Sequence, residues 1–245
     1  MLPKIDVPVY ETTLISTGKK VKFRPFLVKE QKLFLMASES EDANEMVDVV
    51  KQVLNNCLIS KVDVDELPTF DLENLFMNLR AKSVGEVINL KYTCNNNVKV
   101  DEEQTKKCGS VVSIDVNILD IKPEISKEHS KKIEISKKLG IMMKYPTMKM
   151  LNNLKAEDTN SFDNLIETVI SCIDYIYDEN QMYYAKDTEK QELIEFIENL
   201  QQDDLLKIQN FFNTMPKIRK ELDFKCKKCG YEDKIMVEGI QNFFV

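Results

Sequence analysis

The sequence predicts an α+β protein made of two similar halves, each running hairpin, helices, strand, cysteine knuckle, strand. Three observations carry this. Lys107-Cys108-Gly109 repeats the text of Lys228-Cys229-Gly230, and each follows a candidate strand that ends in a cysteine, Cys94 or Cys226. VKFRPF at 21–26 faces MMKYPT at 142–147, and in each a proline closes the second strand of a hairpin. An apolar helix pattern holding Cys57 matches another holding Cys172. The order of elements carries the repeat, and residue identity between the halves is low. The division it predicts is an extended arm at 1–9, a first half at 10–117, a linker at 118–131 and a second half at 132–245.

In the first half, Thr12–Ile15 and Lys20–Arg24 flank Thr17-Gly18 as a hairpin. A helix is expected over Val28–Ala37. Asp42 caps a second, in which Met46, Val49, Val50, Val53, Leu54 and Cys57 recur at helical spacing. Thr69 or Asp71 caps a third, with Leu72, Leu75, Phe76 and Leu79 on one face. Strands Glu86–Thr93 and Val111–Asn117 bracket the first cysteine pair. In the second half, Ile133–Ser136 and Leu139–Tyr145 form a hairpin, followed by a short helix over Met148–Lys155. Asp158–Ser161 offer caps for a helix running through Leu165, Ile166, Val169, Ile170, Ile173 and Ile176. A polar loop at 178–187 leads to helices through Leu193–Leu200 and Leu205–Phe212, the second capped by Asp203 or Asp204. Strands Lys217–Lys225 and Ile235–Val237 bracket the second cysteine pair. Phe76, Met77, Phe211 and Phe212 fit core positions, and Met142-Met143 fit burial within the chain, with an apolar edge as the alternative.

Composition narrows the function. The 245 residues carry a net charge of −7, which disfavours a general nucleic-acid binder, since phosphate contacts need a basic surface. No run of eighteen apolar residues spans a membrane, and the N-terminus lacks the basic and apolar regions of a secretory signal. Six cysteines in that context read as thiols, two of them (Cys57 and Cys172) as core residues.

Cys94, Cys108, Cys226 and Cys229 read as one structural Zn2+ site. C-x-x-C aims two sulfurs at one point, and the glycine after it takes the turn that lets backbone N–H groups face them. The first pair is looser, with thirteen residues between its cysteines. His129 in place of one cysteine, or no metal at all, are the alternatives. A thioredoxin-like reading fails because the motif lies between strands and does not open a helix. Four sulfurs close a zinc sphere, so a catalytic metal is disfavoured. No P-loop, G-x-G-x-x-G, G-x-S-x-G or HExxH is present, so no enzyme activity is expected.

Three segments carry a family resemblance: GKKVKFRPFLVKEQK at 18–32, LPTFDLENLFMNLRAKSVGE at 67–86 and DFKCKKCGYEDKIMVEGIQNFF at 223–244. Together they resemble the baseplate hub proteins of T-even-type contractile-tailed bacteriophages. The resemblance implies a non-enzymatic structural role in hub and baseplate assembly, in the virion tail baseplate and, during assembly, the host cytoplasm. Its implied partners are other baseplate hub proteins and the tape-measure protein, with the protein oligomeric in the assembly. It places subunit contacts at Arg24, Pro25, Phe26, Lys29, Glu30, Arg80, Lys82 and Ser83; Phe243 and Phe244 are apolar enough to anchor in a partner. Two rival readings are a tail assembly chaperone that binds the tape-measure or a hub protein and is absent from the virion, and a zinc-ribbon regulatory or nucleic-acid-binding module.

Overall fold

The computed structural model describes residues 5–39, 43–99, 105–153 and 162–239. Asp42, Asp158–Ser161, Phe243 and Phe244 fall outside them, as do the expected contacts of the chain's last residues. The described chain is mixed helix and strand, with small antiparallel sheets. It divides into two compact units: residues 1–64, 70–124 and 217–245 form the first, and 65–69 with 125–216 the second. This division by contact differs from the two sequence halves, because the last strands group with the first half.

In the first unit, β1 (Tyr10–Thr13) pairs antiparallel with β2 (Lys20–Phe23). Lys20–Phe23 alternates exposed and buried, so Val21 and Phe23 face inward and the lysines outward. The hairpin loop is held by α3 (Thr69–Ser83). The Asp71 carboxylate is fully buried and accepts the Ile15 N–H at 2.5 Å and the Ser16 hydroxyl. Asp71, expected as a cap, lies in the first turn of the helix and satisfies backbone groups that the loop would otherwise bury unpaired.

Helix α1 (Val28–Ser38) starts where Glu30 reaches back to the Leu27 N–H at 2.8 Å. Helix α2 (Ala43–Cys57) buries Val50, Val53, Leu54 and Cys57, the stripe its spacing predicts. Its end returns to the hairpin, where the Arg24 N–H donates to the Cys57 carbonyl at 3.0 Å. Strand β3 (Val87–Thr93) pairs along its whole length with β6 (Val111–Asn117). Between them, β4 (Asn97–Lys99) and β5 (Thr105–Lys107) form a separate small hairpin. The expected linker is partly ordered: a 3-10 turn at Ile118–Asp120 precedes β7 (Pro123–Glu124). Strand β12 (Lys217–Lys225) pairs with both β7 and β13 (Glu232–Glu238).

The second unit is a four-stranded sheet in the order β11-β10-β9-β8, packed by helices. Its strands are β8 (Lys132–Glu134), β9 (Gly140–Met143), β10 (Ile173–Tyr177) and β11 (Met182–Tyr184). Its helices are α4 (Met148–Asn153), α5 (Phe162–Ser171), α6 (Lys190–Glu198) and α7 (Gln202–Thr214). Ile141, Cys172, Ile173 and Ile208 are fully buried at its centre.

Three expectations are corrected here. The helix expected through Ile176 stops at Ser171, and Ile173–Tyr177 is a strand. The loop expected at 178–187 contains β11, which pairs with that strand. Val169, Ile170, Ile173 and Ile176 keep helical spacing, but Ile-Asp-Tyr-Ile-Tyr is β-branched and aromatic and prefers a pleated surface. Helix α7 is likewise preceded by Gln201, which makes no side-chain cap, and Asp203 and Asp204 lie in its first turn instead. As at the first hairpin, the residue after the strand donates back to the helix-end cysteine: Lys144 N–H to the Cys172 carbonyl, at 2.7 Å.

Candidate metal centre

Four cysteine sulfurs meet in the first unit. The Sγ atoms of Cys94, Cys108, Cys226 and Cys229 all lie within 4.8 Å of one another. Cys94 to Cys229 is 3.7 Å and Cys108 to Cys226 is 3.8 Å. A tetrahedral ion with Zn–S bonds of about 2.3 Å spaces its sulfurs about 3.8 Å apart, which the Cys94–Cys229 and Cys108–Cys226 pairs match, and the whole set lies within metal-binding distance. Cys94, Cys108 and Cys226 are buried, and Cys229 is half-buried.

Each knuckle is built by the strand pair that enters and leaves it. The Cys94 N–H donates to the Ser110 carbonyl at 2.8 Å, and the Gly109 N–H to the Cys94 carbonyl at 3.0 Å. In the second knuckle the Cys226 N–H donates to Tyr231 at 2.8 Å, and Gly230 to Cys226 at 2.9 Å. Gly109 and Gly230 have φ of 64° and 73°, the left-handed conformation that a side chain disfavours. In the first knuckle the Cys108 N–H closes on the Asn96 carbonyl at 2.8 Å. Asn97–Lys99 and Thr105–Lys107 therefore leave as an antiparallel pair from a site otherwise shaped like Cys-x-x-Cys.

The sulfurs sit in unequal electrostatic surroundings. Backbone N–H groups of Cys229 and Lys228 pull the Cys226 thiol down to about 6, against its burial. The Tyr231 N–H, with the Asn96 side chain, lowers Cys229 also. Burial pushes Cys94 up to about 12, which one N–H from Asn96 does not offset. At Cys108 the Ser110 N–H pulls down, but burial and the sulfurs of Cys229 and Cys226 outweigh it. A divalent cation among them would favour all four as thiolates.

The other two cysteines are inert by comparison. Burial raises Cys57 and Cys172 to about 11 each. His129 is not in the cluster. It lies in the second unit, with Nδ1 3.0 Å from Thr214 Oγ1 and Nε2 3.0 Å from the Tyr145 hydroxyl.

Most residues expected at subunit contacts hold the first unit together. The Arg24 guanidinium meets the fully buried Glu30 at 3.0 Å and the Asn56 carbonyl at 2.9 Å. Burial raises the Glu30 carboxyl, but Arg24 and the Leu27 N–H outweigh it and hold it below its ordinary range. The Phe26 N–H donates to Ser83 Oγ at 3.0 Å, and the ring lies edge-on to Phe34. Pro25 is half-buried beside it. Arg80 donates to the Gly85 carbonyl at 3.3 Å, and burial lowers its pKa. Lys82 pairs with Glu86 at 2.8 Å, while the Lys29 side chain is 70% exposed. Sequence reasoning missed Asn96 and Ser110 and read Asp71 only as a helix cap. Their roles depend on tertiary neighbours, and only Asn96 and Ser110 lie close enough to a cysteine for a knuckle template to have flagged them.

A family model described as "T4 bacteriophage base plate protein" matches residues 7–245, nearly the whole chain. No curated protein and no solved structure matches significantly.

Proposed function

Because the chain belongs to the T4 bacteriophage base plate protein family, and is therefore a phage baseplate component, we propose that it is a structural, non-enzymatic subunit of the baseplate hub that takes part in hub assembly through protein–protein contacts. The observation that carries the structural reading is the four-sulfur cluster, gathered within 4.8 Å, with two pairs spaced as in a closed tetrahedral sphere. Zn2+ held by Cys94, Cys108, Cys226 and Cys229 would supply cross-linking of two distant chain segments and no open coordination position for chemistry. The hub is a place where such rigidity serves, because a subunit that must hold neighbours in register gains from pinned loops.

The proposed partners are other hub proteins and the tape-measure protein, with the chain oligomeric in the assembly and present in the host cytoplasm before incorporation. Contacts would run over the surface bearing Lys29 and Lys82, with Arg24, Pro25, Phe26, Glu30, Arg80 and Ser83 holding that surface in shape. The matched hairpin closures at Cys57 and Cys172, and the matched knuckles, support reading the two halves as copies of one ancestral unit. The test is affinity purification of tagged protein from infected cells, together with peptide maps of purified virions. Hub and tape-measure proteins in the eluate, and the chain's peptides in the virion, are the expected result. Its absence from virions with the same partners in the eluate would replace the subunit reading with that of a transient chaperone.

A further inference from the structure

Beside the cysteine cluster the first unit carries a cleft of about 430 Å³ between the two knuckles. Tyr92, Phe224 and Ile235 supply apolar lining and pack against the buried cysteines. Asn95, Asn96 and Asn97 offer side-chain amides, and Tyr231 with Asp233 a phenol hydrogen-bonded to a carboxylate at 3.0 Å. Among the described residues, no lysine or arginine lines this cleft. The cluster adjoins it directly: the Asn96 side-chain amide donates to Cys229 Sγ at 3.7 Å. A divalent ion on four thiolates leaves two net negative charges, and Asp233 adds a third.

We propose that this cleft binds an extended peptide segment of a partner that presents an arginine or lysine flanked by apolar side chains. The cation would sit by Asp233 in the field of the thiolates, the apolar neighbours would cover Tyr92 and Ile235, and the asparagine amides would pair with the segment's backbone. Charge complementarity selects this occupant over an acidic or neutral one, since charge placed beside low-dielectric walls is screened less than on open surface. The charge argument rests in part on the metal reading above.

The test uses the full chain and three capped peptides, Gly-Leu-Arg-Leu-Gly and the same sequence with glutamate or norleucine in the centre. NMR follows the side-chain amides of Asn95–Asn97 and the backbone amide of Asp233, and metal content is measured on the same sample. The arginine peptide should shift these signals and bind at least about fivefold tighter than the other two, with the preference reduced by added salt and by Asp233→Asn. Equal binding of all three, or no shift up to about 5 mM arginine peptide, overturns the proposal. The metal measurement separates the two readings. A metal-free sample that still prefers arginine in an Asp233-dependent way refutes zinc but supports the cleft. A metal-loaded sample without the preference refutes the cleft alone.

Discussion

The two knuckles of the metal centre differ by a hairpin and resemble each other in nearly everything else. In both, the first cysteine donates to the residue after the glycine, and the glycine donates back to the first cysteine. In both, the N–H two residues on faces each sulfur: Asn96 and Ser110 in one, Lys228 and Tyr231 in the other. The difference is the second cysteine's own N–H. In the plain knuckle it faces the Cys226 sulfur; in the interrupted one it closes the insert on the Asn96 carbonyl. That single redirected donor helps explain why Cys226 is drawn down to about 6 while the matching Cys94 stays near 12. A knuckle thus tolerates an insertion between its cysteines if the backbone pinches shut at the insertion's root.

If both knuckles ligate one ion, removing a sulfur from either should have the same large effect. Cys108→Ser and Cys229→Ser should each lower bound zinc well below one per chain. The fold would lose a large part of a term that reaches about 10–16 kcal/mol in zinc-finger peptides. Hydrogen exchange should then rise in β3–β6 and β12–β13 together, because the ion joins both pairs. Full zinc retention by Cys108→Ser would break the comparison and leave the plain knuckle to bind with other ligands.

The glycines give a smaller and more local test. Gly230→Ala meets no atom within 4 Å, and Gly109→Ala meets only the Lys107 carbonyl, at 3.9 Å. The expected cost is then that of the positive φ alone, about 1–2 kcal/mol in either knuckle by chemical denaturation. A cost confined to Gly230 would show that the interrupted knuckle relaxes where the plain one does not.

The second unit provides a contrast region with no cysteine cluster among its described residues, and its polar centre is His129. The Thr214 hydroxyl donates to the Asn210 carbonyl at 2.6 Å, so it accepts from His129 Nδ1–H, and Nε2 accepts from Tyr145. This arrangement is that of the neutral ring, which burial and the nearby Lys131 favour by lowering its pKa below the ordinary histidine value. The unfolded chain then binds a proton that the folded unit refuses. Stability is fully present above about pH 6.5 and falls as the pH drops toward the lowered folded value. His129→Gln should flatten that part of the pH dependence in hydrogen exchange of α7 and β9. An unchanged profile would show that other groups set the acid sensitivity.

Strand limits were legible where hydrophobic alternation and a cysteine agreed, as at Val111–Asn117 and Lys217–Lys225. The cluster itself was legible because Lys-Cys-Gly appears twice. Other features depend on neighbours that the local pattern does not reveal. Ile173 and Ile176 continue a helix by spacing, and only pairing with β9 and β11 makes them a strand. Pro123-Glu124 reads as linker until β12 lies beside it. Asp71 reads as a cap, and the hairpin loop that buries it is more than fifty residues away.

The smallest expected effect tests the comparison most sharply. Thirteen residues between Cys94 and Cys108 made the first pair look poorly spaced, yet Asn95 and Asn96 take the places that Lys227 and Lys228 hold in the second. Deleting residues 97–107 would join Asn96 to Cys108 and write Cys-Asn-Asn-Cys-Gly, a plain knuckle. The Asn96 carbonyl already lies 2.8 Å from the Cys108 nitrogen, so the join asks little of the backbone. It also frees the Cys108 N–H to face Cys94 Sγ, as its counterpart faces Cys226. Zinc stoichiometry should stay at one per chain, with stability within about 1 kcal/mol of the parent, since shortening a surface loop changes closure entropy only slowly. Loss of zinc from the deletion variant would mean that the hairpin itself shapes the first knuckle, and that the two sites resemble each other in their hydrogen bonds without being interchangeable.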